Sequence, residues 1–128
     1  MIRDLVTVSP INDLSVAFEI FEKHQFRHLP VVGRDGSIRG IIARRELLGL
    51  QAVTPNFEGR RTIAMVMIRN VVTITPRTLL KEAAQIMLTK KIGCLPVVQN
   101  HKLCGIITEA DFVKAYLRAH EEFELEVH

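Results

Sequence analysis

Two hydrophobic rhythms alternate along this 128-residue chain, and the same order of them occurs twice. Val6-Thr7-Val8 is a short β-prone run stopped by Pro10, and Val72-Thr73-Ile74 is another, stopped by Pro76. A helical stripe follows each. Leu14, Ala17, Phe18 and Phe21 fall at i, i+3, i+4 and i+7, and Leu80, Ala83, Ala84 and Met87 repeat the spacing. Asn12 and Thr78 precede the stripes at equivalent positions and are expected as N-caps. Residues 29–32 and 38–43 read as a β-hairpin around Gly33-Arg34-Asp35-Gly36. Residues 95–98 and 103–108 read as its counterpart around Asn100-His101. A second helix closes each half, at about 45–51 and about 109–119, and 62–66 predicts a short helix before the second half.

The match between halves is residue by residue. Met1 to Pro10 aligns with Met67 to Pro76 at an offset of 66, and Leu29-Pro30-Val31-Val32 aligns with Leu95-Pro96-Val97-Val98 at the same offset. Gly40-Ile41-Ile42 then aligns with Gly105-Ile106-Ile107 at an offset of 65, so one residue is lost in an intervening loop. The chain divides into a first repeat (1–52), a turn-rich linker (53–61), a second repeat (62–120) and an acidic tail (121–128). A half of this size buries one sheet face only marginally. The expected fold is therefore α+β: two tandem β-α-β-β-α repeats packed sheet to sheet with pseudo-twofold symmetry. The junction leaves a cleft lined by equivalent loops, which is the natural ligand position.

Composition narrows the class. The chain is 48% apolar and 24% charged, which excludes a disordered chain. No apolar run is long enough to cross a bilayer, and no signal peptide opens the chain, so a cytoplasmic, non-membrane protein is expected. Cys94 and Cys104 fit neither a disulfide framework nor paired zinc motifs; Cys104 is expected opposite about Val97 in its hairpin. His24, His101, His120 and His128 show no metal-ligand spacing, and Ser9, Ser15 and Ser37 lack a nucleophile motif, so neither a metal nor catalysis is expected. Net charge is +3, but four glutamates lie in the last eight residues, leaving 17 basic against 10 acidic residues, or +7, on the first 120. A positive body suits an anionic partner, either a phosphate-bearing small molecule or nucleic acid. Scattered basic pairs and few aromatics make nucleic acid the weaker reading. The alternation at 123–127 reads as a short strand or a frayed end.

Three segments of the second repeat, Val72-Thr73-Ile74-Thr75-Pro76, Ile92-Gly93-Cys94-Leu95-Pro96-Val97-Val98 and Gly105-Ile106-Ile107-Thr108-Glu109-Ala110-Asp111, have counterparts in the first. Taken in order, twice, they resemble the tandem CBS domain, a pair often called a Bateman module. The resemblance covers nearly the whole chain apart from linker and tail. It implies a non-enzymatic regulatory module that binds AMP, ADP, ATP or S-adenosylmethionine, and pairing of two modules into a flat homodimeric disk. Carried over by position, Asp111 would take the ribose hydroxyls and Thr108 a phosphate or ribose oxygen. Ile92, Gly93, Cys94, Leu95 and Pro96 would border the base, with Val72 and Thr73 as the other wall.

General chemistry agrees with these roles. A carboxylate accepts two donors from a ribose diol, a helix N-terminus offers N–H groups to phosphate, and Gly93 allows close approach of a base. Thr-x-x-Asp opening a helix is also a capping box, and both roles can coexist. The first repeat departs from the pattern. Ala43 stands where Thr108 does, Glu46 where Asp111 does, and Arg27 where Gly93 does, so the site of the second repeat is expected to be the better one. His28, Arg44 and Arg45 are candidate phosphate contacts; the plainer reading makes His28 a half-buried residue opening a strand and the arginines solvated. With no effector domain in the sequence, occupancy would be passed to another chain or sensed alone. Tyr116 and Leu117 could build a homodimer face. The competing readings are a structural homodimerisation module without a nucleotide and a nucleic-acid-binding accessory protein.

Overall fold

The computed structural model describes residues 5–53 and 61–120; residues 54–60 of the linker, residues 1–4 and the acidic tail with its 123–127 alternation lie outside the described residues. The first copy contains α1 (Leu14–Lys23), β1 (His28–Val32), β2 (Ile38–Ala43) and α2 (Arg44–Val53). After α3 (Ile63–Val66), the second contains α4 (Leu80–Lys90), β3 (Cys94–Gln99), β4 (Lys102–Thr108) and α5 (Glu109–Ala119). Each copy is an antiparallel hairpin with helices against it, the α+β architecture expected.

The hairpins repeat the same register. Pro30 faces Ile41 and Pro96 faces Ile106, and each hairpin carries one irregularity, after Val31 and after Val97. The turns differ. Residues 33–37 join β1 to β2, whereas Asn100 and His101 alone join β3 to β4, both at positive φ as a tight two-residue hairpin turn requires. The lost residue lies here. Cys104 lies beside Val97, its Sγ 3.4 Å from that carbonyl, and both cysteines are free thiols.

Two expectations need correction. The runs at 6–8 and 72–74 do not extend into strands. Each is a single parallel bridge, Val8 to Val31 and Ile74 to Val97. Val8 donates to the Pro30 carbonyl at 3.0 Å and accepts from Val32 at 2.8 Å, and Ile74 does the same with Pro96 and Val98. The prolines two residues further on end the pairing. Nor do Asn12 and Thr78 cap helices. Asn12 Oδ1 accepts from Ser9 N–H at 2.8 Å and Thr78 Oγ1 from Thr75 N–H at 3.1 Å, so both close the preceding turn, and the N-caps are Asp13 and Leu79.

The cores follow the stripes with one exception. Leu14, Ala17 and Phe21 are buried with Leu29, Val31, Ile42 and Leu47. Ala83 and Met87 are buried with Ile74, Leu95 and Val97, but Leu80, the counterpart of Leu14, is exposed. Ile63 of α3 is fully buried with Leu14 in the first core. Residues 61–68 thus serve the first copy: Leu14 N–H donates to Arg61 O, Ile63 N–H to Asn12 O, and Ile41 and Ile68 exchange two backbone hydrogen bonds at 2.8 and 3.0 Å. Gly40 makes this possible. A Cβ there would lie 2.7 Å from both Ile68 O and Met67 Sδ. The copies meet at a third cluster, Ile41, Cys94 and Ile106, flanked by Leu5 and Val71. Ile41 and Ile106 are equivalent residues, as a pseudo-twofold junction between sheets demands.

Candidate functional site

A cavity of about 570 Å³ opens beside this junction. Its floor and one wall come from the first copy, through Leu5, Val6, residues 25–28 and Pro30. Facing them are Gly93, Ile106, and Thr108, Glu109, Ala110 and Val113 at the start of α5. Val6 and Pro30 are drawn together by the Val8 bridge to β1, and the start of α5 arrives at the end of β4, where Thr108 pairs with Cys94.

The polar groups converge at one end. Asp111 accepts the N–H of Thr108 at 2.8 Å, the reaching-back half of a capping box, and the Thr108 hydroxyl lies 3.4 Å from the same oxygen. Burial opposes ionisation of Asp111, yet its donors, Thr108 N–H among them, hold its carboxyl below the ordinary 3.8. Across the cavity His28 packs on Gly93. A Cβ at Gly93 would lie 3.0 Å from His28 Cε1 and 3.8 Å from Glu109 Oε1, so the absent side chain is what lets imidazole and carboxylate share this corner. Burial, and then the Arg27 guanidinium, hold His28 below its ordinary 6.5, against the pull of Glu109 and Glu46. Burial alone pushes the Cys94 thiol up to about 11.

Of the residues singled out in the sequence, Gly93, Thr108 and His28 line this cavity. Asp111 stands one hydrogen bond behind Thr108. The others serve elsewhere. Leu95 is fully buried in the second core, where Val72 and Ile92 also pack; Pro96 is fully buried; Cys94 belongs to the junction; Thr73 is exposed. Arg45 is exposed and half-buried Arg44 donates its N–H to Arg27 O; neither lines the cavity. The wall facing α5 is instead built from the counterparts of the expected residues one repeat earlier: Val6 for Val72, Arg27 for Gly93, His28 for Cys94 and Pro30 for Pro96. A second, shallower groove of about 450 Å³ runs between α4 and α5 along Ala84, Met87, Leu88, Lys91, Ile92 and Phe112, and Glu109 borders both hollows. No helix among the described residues is long and apolar enough to cross a membrane.

Comparison with known proteins agrees with this architecture. The profile of the CBS domain matches residues 1–52 and again 63–118. An acetoin utilization protein (AcuB) of Vibrio cholerae superposes with a TM-score of 0.86 and 36% identity over 95% of this chain and 91% of that one. CBSX2, solved in complex with AMP, gives 0.78 and 28% over 90% and 89%. The CBS domain pair of protein MJ0100, solved with 5′-methylthioadenosine and S-adenosyl-L-methionine, gives 0.79 and 27% over 93% of each chain. In sequence, protein MJ1225 of Methanocaldococcus jannaschii is 33% identical over 125 residues, and the chain spans 44% of its length.

Proposed function

The chain belongs to the CBS domain family, and from that premise we propose that it is a regulatory module whose cavity between the repeats binds an adenosine-containing ligand. The observation that carries the reading is the cavity itself: about 570 Å³, within the range of small-molecule sites, apolar toward Val6, Pro30 and Ile106 and polar at the start of α5. The relatives solved with AMP and with S-adenosyl-L-methionine support the ligand class. In this reading the base lies between Val6, Pro30 and Ile106, Thr108 and Asp111 take ribose oxygens, and the backbone at Gly93 borders the sugar. Leu95, with Val72 and Ile92 packed beside it, supports the second core, Pro96 is buried, Cys94 belongs to the junction, and Thr73 stays exposed. The module acts by binding, not catalysis. Occupancy reaches a partner chain through the relative angle of paired modules, which requires different affinities in the two states.

Thermal unfolding with graded AMP, ADP, ATP and S-adenosylmethionine tests this. A ligand specific to the folded state at about 100 times its Kd adds about 2.7 kcal/mol, so the midpoint rises with dose. No rise with any of the four contradicts the reading.

One observation favours self-association beside ligand binding. Leu80 and Leu88 on α4 and Val113, Tyr116 and Leu117 on α5 are large apolar side chains left exposed. A homodimer through these helices covers them. Sedimentation equilibrium is expected to give a dimer that Leu88→Lys with Leu117→Lys converts to monomer; a monomeric parent chain contradicts it.

A further inference from the structure

The groove between α4 and α5 lies apart from the ligand cavity, and its chemistry differs. Its floor is apolar, from Met87, Ile92 and Phe112, and Leu88 at its edge is 82% exposed. Lysines flank it. Lys81, Ala84, Leu88 and Lys91 follow one another at i, i+3, i+7 and i+10 along α4 and its cap, so they share one face. Lys81 and Lys91 are exposed, and neither stands in an ion pair among the described residues. Glu109 is the one acid lining the groove, and its carboxylate lies in the corner it shares with His28 on Gly93. We propose that residues 121–128 of the same chain turn back along α5 and seat Phe123 and Leu125 in this groove, with their glutamates toward the lysines.

Three observations converge. The segment has the matching chemistry. Phe123, Leu125 and Val127 alternate with Glu122, Glu124 and Glu126, and residues 121–128 contain no Lys or Arg. Extended, such a run is apolar on one side and acidic on the other. The reach fits as well. The segment starts after His120, the C-cap of α5, and Phe112 lies eight positions back, about 12 Å of helix. Extended chain covers that distance in about four residues, which brings residues 123–125 level with Phe112. Finally, Phe112, Tyr116 and His120 follow at i, i+4 and i+8, and Tyr116 stacks on His120 with ring centroids 4.4 Å apart. One aromatic face of α5 thus leads from the groove to the start of the segment. A segment joined this closely has an effective concentration on the order of millimolar, which favours the chain's own segment over that of a second copy. Leu117, off this face of α5, stays open to a second copy.

The test is NMR of the isotope-labelled full chain, comparing the parent with Phe123→Ser plus Leu125→Ser and with Lys81→Gln plus Lys91→Gln. In the parent, the Phe123 ring is expected to give nuclear Overhauser contacts to the Leu88 and Ile92 methyl groups. The serine pair leaves residues 1–120 unaltered. It is expected to abolish these contacts and to shift the amide signals of Leu88, Ile92 and Phe112 while the signals of both cores hold. The glutamine pair is expected to cut the docking equilibrium constant about two- to fivefold, the order of two exposed ion pairs. The constant is read from the position of the Phe112 signal between the parent and the serine pair. Absence of the Phe123 contacts, unmoved groove signals in the serine pair, or an unchanged constant in the glutamine pair overturns the proposal. Contacts found only between labelled and unlabelled copies also overturn it, because they assign the segment to a second copy's groove.

Discussion

At Gly40 the molecule has room for a hydrogen atom and no more. The segment at 67–68 crosses over this residue to pair with Ile41, and a methyl group would stand 2.7 Å from a backbone carbonyl oxygen that those two hydrogen bonds hold in place. Gly40→Ala is therefore expected to cost about 1–3 kcal/mol, read from urea unfolding midpoints; an unchanged midpoint would mean the crossing segment yields freely. His28 makes a different prediction. Its folded-state pKa lies below its ordinary 6.5, so the unfolded chain binds more protons in the window between the two values. Stability due to this residue is full above pH 6.5 and declines as the pH falls through the folded value. Asp111, with a lowered carboxyl, acts in a separate window below 3.8. In unfolding measured from pH 7.5 down to pH 5, His28→Gln is expected to flatten the decline; equal slopes for parent and variant would place the proton elsewhere.

Elements in the two copies look alike in sequence but do not carry equal loads. The 66- and 65-residue offsets made the hairpins, their shared register and both long helices of each copy readable before any coordinates, because alternation and helical spacing are local signals. Pairing length is not local. The runs at 6–8 and 72–74 have strand composition, yet each manages one bridge because a proline follows two residues later. Asn12 and Thr78 have the side chains of caps, but a turn three residues earlier claims their oxygens. Leu80 copies Leu14 by position and is exposed, whereas Leu14 is buried in a first core that also takes in Ile63 of α3. At α5 the capping box is a genuine structural bond. Asp111→Ala is expected to cost about 0.5–2 kcal/mol without ligand, measured by chemical denaturation, and to abolish the ligand-induced midpoint rise. Loss of stability with the full rise intact would confine Asp111 to the cap.

For the whole molecule, duplication explains both what the sequence revealed and what it hid. The resemblance names Val72, Gly93, Cys94 and Pro96 as expected ligand walls, and their counterparts in the first repeat, Val6, Arg27, His28 and Pro30, line the cavity. What the motif does not state is which copy's wall faces which copy's helix. That follows from the junction at Ile41, Cys94 and Ile106, where the pseudo-twofold axis sets the start of α5 against the first repeat. Arg27 was visible as a departure from Gly93, and its place in the cavity wall became legible only once the two copies were set face to face. The most direct test of this arrangement is a crystal structure of the full chain with AMP. The account predicts one nucleotide per chain, its base between Val6, Pro30 and Ile106 and its ribose at Thr108 and Asp111. A nucleotide seated instead against Val72, Thr73 and Ile92, or a crystal grown at saturating AMP with the cavity empty, would contradict it.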